Sequence, residues 1–233
     1  MARPARDSFA ALHAQIVDCR RCPRLVAWRE TVAREKRRAF RDETYWGRPL
    51  PGFGDRKARI VLVGLAPAAH GGNRTGRFFT GDRSGDFLFK GLYRAGLCNQ
   101  PTSTHRDDGL TLFDVYIVAP VRCVPPDNKP TKEEFAHCSE FLDRELRLLK
   151  PEVIVALGAH AWTSTLGHFA RRGLGLPRPL PAFGHGAVAQ VEGAPVMLGC
   201  YHVSQQNTQT GRLTDAMFDR VIEEAKRVAR RSP

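Results

Sequence analysis

The chain has 233 residues, of which 42% are hydrophobic and 26% charged, proportions that are ordinary for a globular protein and exclude disorder along its whole length. Its 36 Lys and Arg residues against 24 Asp and Glu residues give a formal net charge of +12, which favours a polyanionic partner: DNA, RNA or an anionic membrane surface. A membrane-spanning helix needs about 20 apolar residues, and the longest apolar run, 60–69, is interrupted by Gly64 and Pro67. The charged N-terminus is followed by no apolar stretch, so we expect no secretion signal and a cytoplasmic protein.

Hydrophobic patterning predicts alternating helices and strands. Apolar residues at helical spacing predict a first helix over 8–17. A β-branched run predicts a buried strand over 60–63, and a glycine-rich loop follows it over 66–85. The same patterns predict further helices over 86–97, 131–149 and 213–230, and further strands over 114–121, 152–157, 188–191 and 196–201.

This alternation predicts an α/β fold with a mostly parallel sheet. Ligands of such sheets bind beyond the carboxyl ends of the strands. Two of these ends lead into the segments 64–85 and 201–212, which are the most unusual stretches of the sequence. We therefore expect a functional site where these two segments meet.

Four of the six cysteines have the spacing of ligands. Cys19 and Cys22 form a CxxC pair, Cys123 follows the second long strand, and Cys138 lies on the helix that begins near 131. Four thiolates suffice for a tetrahedral zinc ion or for an iron–sulfur cluster, and the spacing does not separate the two. Two alternatives remain: Cys138 as a core residue beside a surface CxxC pair, and a redox role for that pair. Cys98 and Cys200 stand in apolar surroundings and are predicted to be core residues.

Two long motifs carry a family resemblance. They are GLAPAAHGGNRTGRFFTGD over 64–82 and HVSQQNTQTGRL over 202–213. Neither contains a P-loop or a dinucleotide-binding fingerprint. Together with the four cysteines, they resemble the iron–sulfur-containing family 5 of the uracil-DNA glycosylases, from about Cys19 to the last helix.

The resemblance implies one glycosylase domain over 1–233, with an N-terminal cluster-binding and basic segment at about 8–56. It also implies a three-layer α/β/α sandwich, a [4Fe–4S] cluster held by Cys19, Cys22, Cys123 and Cys138, and removal of a damaged base from DNA by hydrolysis of its N-glycosidic bond. Such an enzyme flips the base into a pocket. Asp82 and His202 are the catalytic residues on this interpretation, and Phe79 is the stacking surface.

The remaining site residues divide into two groups. Base-binding positions are Gly64, Ala66, Phe79, Ala119 and Asn128. DNA-binding positions are Arg74, Arg77, Ser204, Gln206, Asn207 and Arg212, and the basic stretch at 34–41 adds to them.

Two positions depart from the better-known relatives. Leu65 stands where those relatives carry a polar or acidic residue, so the nearby carboxylate of Asp82 is expected to serve hydrolysis. Ala119 stands where uracil-specific relatives carry an asparagine that reads the pyrimidine edge. We therefore predict a broader pocket that accepts hypoxanthine and xanthine as well as uracil, with Asn128 supplying part of the missing polarity.

The expected partner is DNA that contains deaminated bases, bound by a nucleoid-associated monomer. No lysine lies in either motif, which predicts a monofunctional enzyme with no Schiff-base step. The alternatives are a non-catalytic, zinc-containing nucleic-acid-binding module and a thiol–disulfide oxidoreductase that uses Cys19 and Cys22.

Overall fold

The computed structural model describes residues 7–230 as a mixed sheet of six strands with helices on both faces. Residues 1–6, on which the expectation of no secretion signal depends, lie outside this part. The strands are β1 Phe53–Gly54, β2 Ile60–Val63, β3 Val115–Val118, β4 Val153–Leu157, β5 Val188–Ala189 and β6 Val196–Cys200. The helices are α1 Phe9–Val17, α2 Pro23–Glu35, α3 Gly72–Thr75, α4 Arg83–Arg94, α5 Lys132–Leu149, α6 Ala159–Arg171, α7 Gln205–Gln209 and α8 Asp215–Ala229.

The strand order is β1-β3-β2-β4-β6-β5. The four central strands are parallel, with Val61 of β2 opposite Tyr116 of β3 and Ile154 of β4. The two edge strands, β1 and β5, are antiparallel to their neighbours. The central strands are continuous apolar runs because helices cover both of their faces.

Successive residues of each strand enter opposite cores, as the pleat of a strand requires. Ile60 and Leu62 pack in the core that contains α4 and α8, whereas Val61 and Val63 pack in the core that contains α5 and α6. Helix α1 lies outside α5. The predicted three-layer α/β/α sandwich with a mostly parallel sheet is therefore confirmed.

Most predicted elements form near their expected positions, and the differences have local causes. Helix α4 begins at Arg83 rather than Asp86 because the side chain of Asp82 caps it. The capping box at Thr131 and Glu134 is present at the start of α5. Helix α7 and the two-residue strand β1 are too short to give a periodic signal. Between residues 7 and 230, no helix is long and apolar enough to cross a membrane.

Candidate active site

The segments after β2 and β6 meet at the carboxyl edge of the sheet. The rings of Phe79 and His202 adjoin there, with centroids 6.1 Å apart and planes inclined by 39°. Phe79 lies over Gly64, where a Cβ atom would come within 2.9 Å of the ring. The ring thus occupies space that exists because the residue directly after β2 has no side chain. Phe79 is partly exposed and has a φ of +52°, an uncommon left-handed conformation for an aromatic residue.

Asp82 lies at the start of α4 and serves as its N-cap. Its Oδ1 accepts a hydrogen bond from the backbone N–H of Gly85 at 3.0 Å. Its other oxygen lies against Gly71, where a Cβ atom would come within 1.9 Å of it. Burial raises the pKa of the Asp82 carboxyl, although hydrogen bonds from the backbone of Gly85 and Ser84 oppose the increase. A partly desolvated carboxylate therefore lines a hollow of about 580 Å³ together with Arg74 and Ser103. The rings of Phe79 and His202 do not line this hollow.

His202 follows β6 and is partly buried. Burial lowers the pKa of its imidazole to about 4, so the ring is neutral at physiological pH. Gly158, after β4, lies next to His202, and its φ of +98° is a conformation that favours glycine. The side chain of Asn207 donates a hydrogen bond to the His202 carbonyl at 2.8 Å. A neutral imidazole in this place can donate one hydrogen bond to a ligand.

Arg74 differs from the expectation of a DNA-facing side chain. It is 8% exposed, and its guanidinium donates hydrogen bonds to Glu43 and to the carbonyls of His70 and Gly81. It also lies over the Phe40 ring. Because the guanidinium N–H donors of Arg74 have protein partners, its side chain stabilises the loop that follows β2.

Arg77 differs from its expectation in the same way. It is 7% exposed and donates hydrogen bonds to Thr80, Ser103, Asp108 and the carbonyl of Arg106. Apart from Thr80, these partners are distant in sequence, so no local pattern predicts them. The guanidinium joins the 64–82 segment to the 103–108 loop.

The second segment has its polar side chains on the outside. Gln206 and Arg212 are exposed, and Ser204 precedes α7 with its side chain free of any capping bond. The guanidinium of Arg212 lies 4.8 Å from the centroid of Tyr201. These positions are consistent with the expected DNA-facing surface.

The predicted base-binding positions differ in their surroundings. Ala119, directly after β3, is buried in the core that Phe79 also contacts. Ala66 packs against the group that contains Cys22 and Cys123. Asn128 is exposed in a short 3-10 turn and has a φ of +57°.

The four candidate ligand cysteines lie in one region. Cys22 and Cys123 belong to the same buried group, and Cys19 packs beside α1. Burial and the charges of Cys138 and Cys19 raise the pKa of the Cys22 thiol to about 11. Burial raises the pKa of the Cys123 thiol to about 12, against the effect of the Arg29 guanidinium. Cys98 and Cys200 are core residues, as predicted.

In the described part of the chain, no three Cys, His, Asp or Glu side chains are arranged to hold a metal ion. The surroundings nevertheless suit an anionic group bound to sulfur. Arg29 donates to the Cys123 sulfur at 3.0 Å, and a backbone hydrogen bond from Arg122 favours the ionised form of Cys138. Thiolate ligands are stabilised by such donors.

Comparison with known proteins decides the family. A family model described as the uracil DNA glycosylase superfamily matches residues 51–226. This chain belongs to that superfamily. It is 54% identical over 224 residues to a type-5 uracil-DNA glycosylase of Mycobacterium leprae, covering 95% of this chain and 96% of the relative. It is 56% identical over 213 residues to a type-5 uracil-DNA glycosylase of Thermus thermophilus, covering 91% and 94%.

A more distant similarity covers part of the chain. A type-4 uracil-DNA glycosylase of Thermotoga maritima is 40% identical over 111 residues, which is 47% of this chain and 50% of the relative. Similarity to the type-5 proteins, by contrast, extends over nearly the whole chain, as the motifs predict.

Sequence reasoning missed two residues that shape the site of this uracil-DNA glycosylase superfamily member. Gly71 admits the Asp82 carboxylate, and Arg29 contacts a candidate ligand. Asn207 was predicted to bind DNA, and its side chain instead holds the His202 backbone. Gly71 and Asn207 lie within the quoted motifs, but the motifs did not reveal these contacts. Arg29 is one of several arginines in a basic stretch, and nothing in its local sequence marks it as buried.

Proposed function

We propose that this chain is a monofunctional DNA glycosylase of base excision repair that flips out uracil and other deaminated bases and leaves an abasic site. Membership of the superfamily makes it a DNA glycosylase that hydrolyses N-glycosidic bonds. The observation that carries the proposal for the site is the contact of Phe79 with His202 over Gly64, where two strands end. A flat base can stack on the partly exposed ring of Phe79, which Gly64 gives room to lie over the end of β2.

Binding begins with extrusion of the damaged nucleotide. Unstacking a base costs a few kcal/mol. Stacking on Phe79 offsets part of this cost, because base–aromatic stacking contributes about 1–3 kcal/mol. The left-handed conformation of Phe79 supports this role, since such backbone strain often accompanies a function.

Bond cleavage places negative charge on the departing base and positive charge on the sugar. Neutral His202 donates a hydrogen bond to the base and stabilises the negative charge. The Asp82 carboxylate stabilises the sugar cation and orients the attacking water. Its hydrogen bond to Gly85 uses one oxygen and fixes the direction of the other.

The substrate range follows from Ala119. A methyl group offers no donor or acceptor to a base edge, so the pocket does not select for pyrimidines at this position. Ala119 is 1% exposed within the core beside Phe79, which supports a place near the pocket wall. We propose that hypoxanthine and xanthine are released as well as uracil, with Asn128 adding polarity from its turn.

We also propose that Cys19, Cys22, Cys123 and Cys138 hold a [4Fe–4S] cluster. Such a cluster supplies a structural staple or an electron-transfer centre, depending on its potential. The N–H donors at Cys123 and Cys138 support this donor set. The cluster region contacts the base-binding loop through Ala66.

DNA binding completes the proposal. Ser204, Gln206, Asn207 and Arg212 face the duplex near the flipped nucleotide, and the positive charge of the chain draws it to nucleoid DNA. We propose that the protein acts as a monomer and that residues 1–233 form one glycosylase unit, in which the segment at about 8–56 serves the cluster. The buried side chains of Arg74 and Arg77 hold the 64–82 segment in place through hydrogen bonds.

Base release from duplexes that each contain uracil, hypoxanthine or xanthine tests this function. We expect release of all three, with strand breaks appearing only after added base or lyase. Ala119→Asn should keep uracil release and lower hypoxanthine release. Activity on uracil alone rejects the broad pocket, and no release of any base supports the zinc-containing binding module instead.

A further inference from the structure

Arg29 is a buried cation without an adequate carboxylate partner. It lies on α2 and is 2% exposed. Among the ion pairs found within residues 7–230, its carboxylate neighbour is Glu30, at the outer limit of 4.0 Å. That carboxylate is already bound to Arg20 at 2.5 Å. A buried charge left uncompensated is strongly destabilising, so Arg29 needs a negative partner from elsewhere.

The contacts of Arg29 lead to the four-cysteine region. Its Nη1 donates to the Cys123 sulfur at 3.0 Å and to the Cys19 carbonyl at 3.1 Å. Its Nε is buried and has no hydrogen-bond partner among the described residues. One strong donor therefore lacks the acceptor that a buried guanidinium requires.

Arg122 provides a contrast beside the same cysteines. It is 1% exposed and precedes Cys123, but it forms an ion pair with the buried carboxylate of Glu145 at 2.6 Å. Tyr116 and the backbone of Gly52 donate to the other oxygen of that carboxylate. The guanidinium nitrogens of Arg122 also lack hydrogen-bond partners among the described residues. The contrast is therefore one of charge: a carboxylate lies at ion-pair distance from Arg122, whereas the carboxylate beside Arg29 is 4.0 Å away and bound to Arg20.

Arg29 is also connected to the base-binding loop. The Asn73 side chain donates a hydrogen bond to the Arg29 carbonyl at 3.2 Å. Asn73 lies on α3, next to the glycines that pack against Asp82 and Leu50. Arg29 thus contacts Cys123, a candidate ligand, through its guanidinium, and the segment that holds the catalytic carboxylate through its carbonyl.

We propose that Arg29 is the counter-cation of the four-cysteine site: its guanidinium donates hydrogen bonds to sulfur, balances the negative charge of the bound cluster and raises the reduction potential. This inference rests on the proposed cluster. Positive charge and N–H···S hydrogen bonds both stabilise the reduced, more negative state of such a group. Arg29 is therefore a positioning and tuning residue, and it takes no part in base release.

The test is a redox titration of the purified protein and three variants. Arg29→Gln should shift the potential downwards, and Arg29→Lys should shift it less because the charge remains. Arg34→Gln, an exposed position on the same helix, should leave it unchanged. Equal potentials for wild type and Arg29→Gln overturn the inference, since a purely structural arginine does not move the potential.

A second measurement uses only the wild-type protein, so its result does not depend on whether a variant folds. Wild-type protein with ¹⁵N-labelled arginine side chains is examined by pulsed EPR in a paramagnetic state of the cluster. We expect a hyperfine coupling from an arginine nitrogen, and its absence overturns the inference. Iron and sulfide analysis of the same sample separates this inference from the proposed glycosylase function. Wild-type protein without iron would contradict both the cluster and this role of Arg29. Uracil release by that iron-free sample would still support the glycosylase function.

Discussion

The two segments that form the site are built in opposite ways. The 64–82 segment is tied to the protein by the buried guanidiniums of Arg74 and Arg77, each with a carboxylate partner. The 202–212 segment has exposed polar side chains and is tied down chiefly by Asn207 and by a backbone hydrogen bond from Leu213. The first segment therefore forms a fixed wall, and the second is an adaptable surface that we propose faces DNA.

This contrast explains why charge alone misleads about function. Arginines in a motif of a strongly basic chain suggest DNA contacts, yet those of the first segment have all their partners within the protein. Arg212 has the same side chain and lies exposed over Tyr201. The same residue type thus stabilises the wall in one segment and remains available for phosphate in the other.

The largest expected effect on activity comes from Asp82→Asn in the fixed wall. Loss of a general base or charge stabiliser should lower single-turnover uracil release by about 10²–10⁴-fold. Asparagine still accepts the hydrogen bond from Gly85 as an N-cap, and it removes a buried charge, so the melting temperature should stay the same or increase. Asp86→Asn, in the exposed first turn of the same helix, is the control. Equal rates for wild type and Asp82→Asn would exclude the carboxylate from the mechanism.

Arg77→Met should have the largest effect on stability. The change leaves the Asp108 carboxylate, whose side chain is 9% exposed, without its ionic partner. The free energy of unfolding should fall by about 3–5 kcal/mol. Urea denaturation measures it, with Arg83→Met at an exposed position as the control. A loss comparable to the control would place Arg77 on the DNA-facing surface after all.

A smaller effect concerns the protonation of His202. Its pKa of about 4 lies below the ordinary value of 6.5, so the unfolded chain binds more protons between these values. The stability contributed by neutral His202 is therefore present above pH 6.5 and is lost as the pH falls towards 4. NMR titration of the imidazole should place its midpoint near 4, and His202→Gln should flatten this part of the stability profile relative to His160→Gln. A midpoint near 6.5 would show that the ring is solvated.

The smallest effect is expected from Arg212→Ala on the adaptable surface. Loss of one phosphate contact should weaken binding to uracil-containing and undamaged duplexes alike. It should also reduce the slope of log affinity against log salt by about 1. Fluorescence anisotropy at several salt concentrations measures this slope. An unchanged slope would remove Arg212 from the interface.

The sequence predicted the sheet and the meeting of the two segments because both depend on local patterns. Short apolar runs identify β2, β3, β4 and β6, with β-branched residues most frequent in β2, β3 and β4, and the ends of β2 and β6 identify the two segments. Contacts between residues that are distant in sequence could not be predicted in this way. The pairing of Arg77 with Asp108 and of Arg29 with Cys123 depends on how loops fold together, which no single stretch of residues encodes.

The most direct test is a crystal structure of Asp82→Asn bound to a duplex that contains uracil. We expect the uracil to lie outside the helix, stacked on Phe79 with its edge towards His202, and Arg212 to lie beside a phosphate. A uracil that remains in the duplex, or one held in another cavity, would contradict the proposed site.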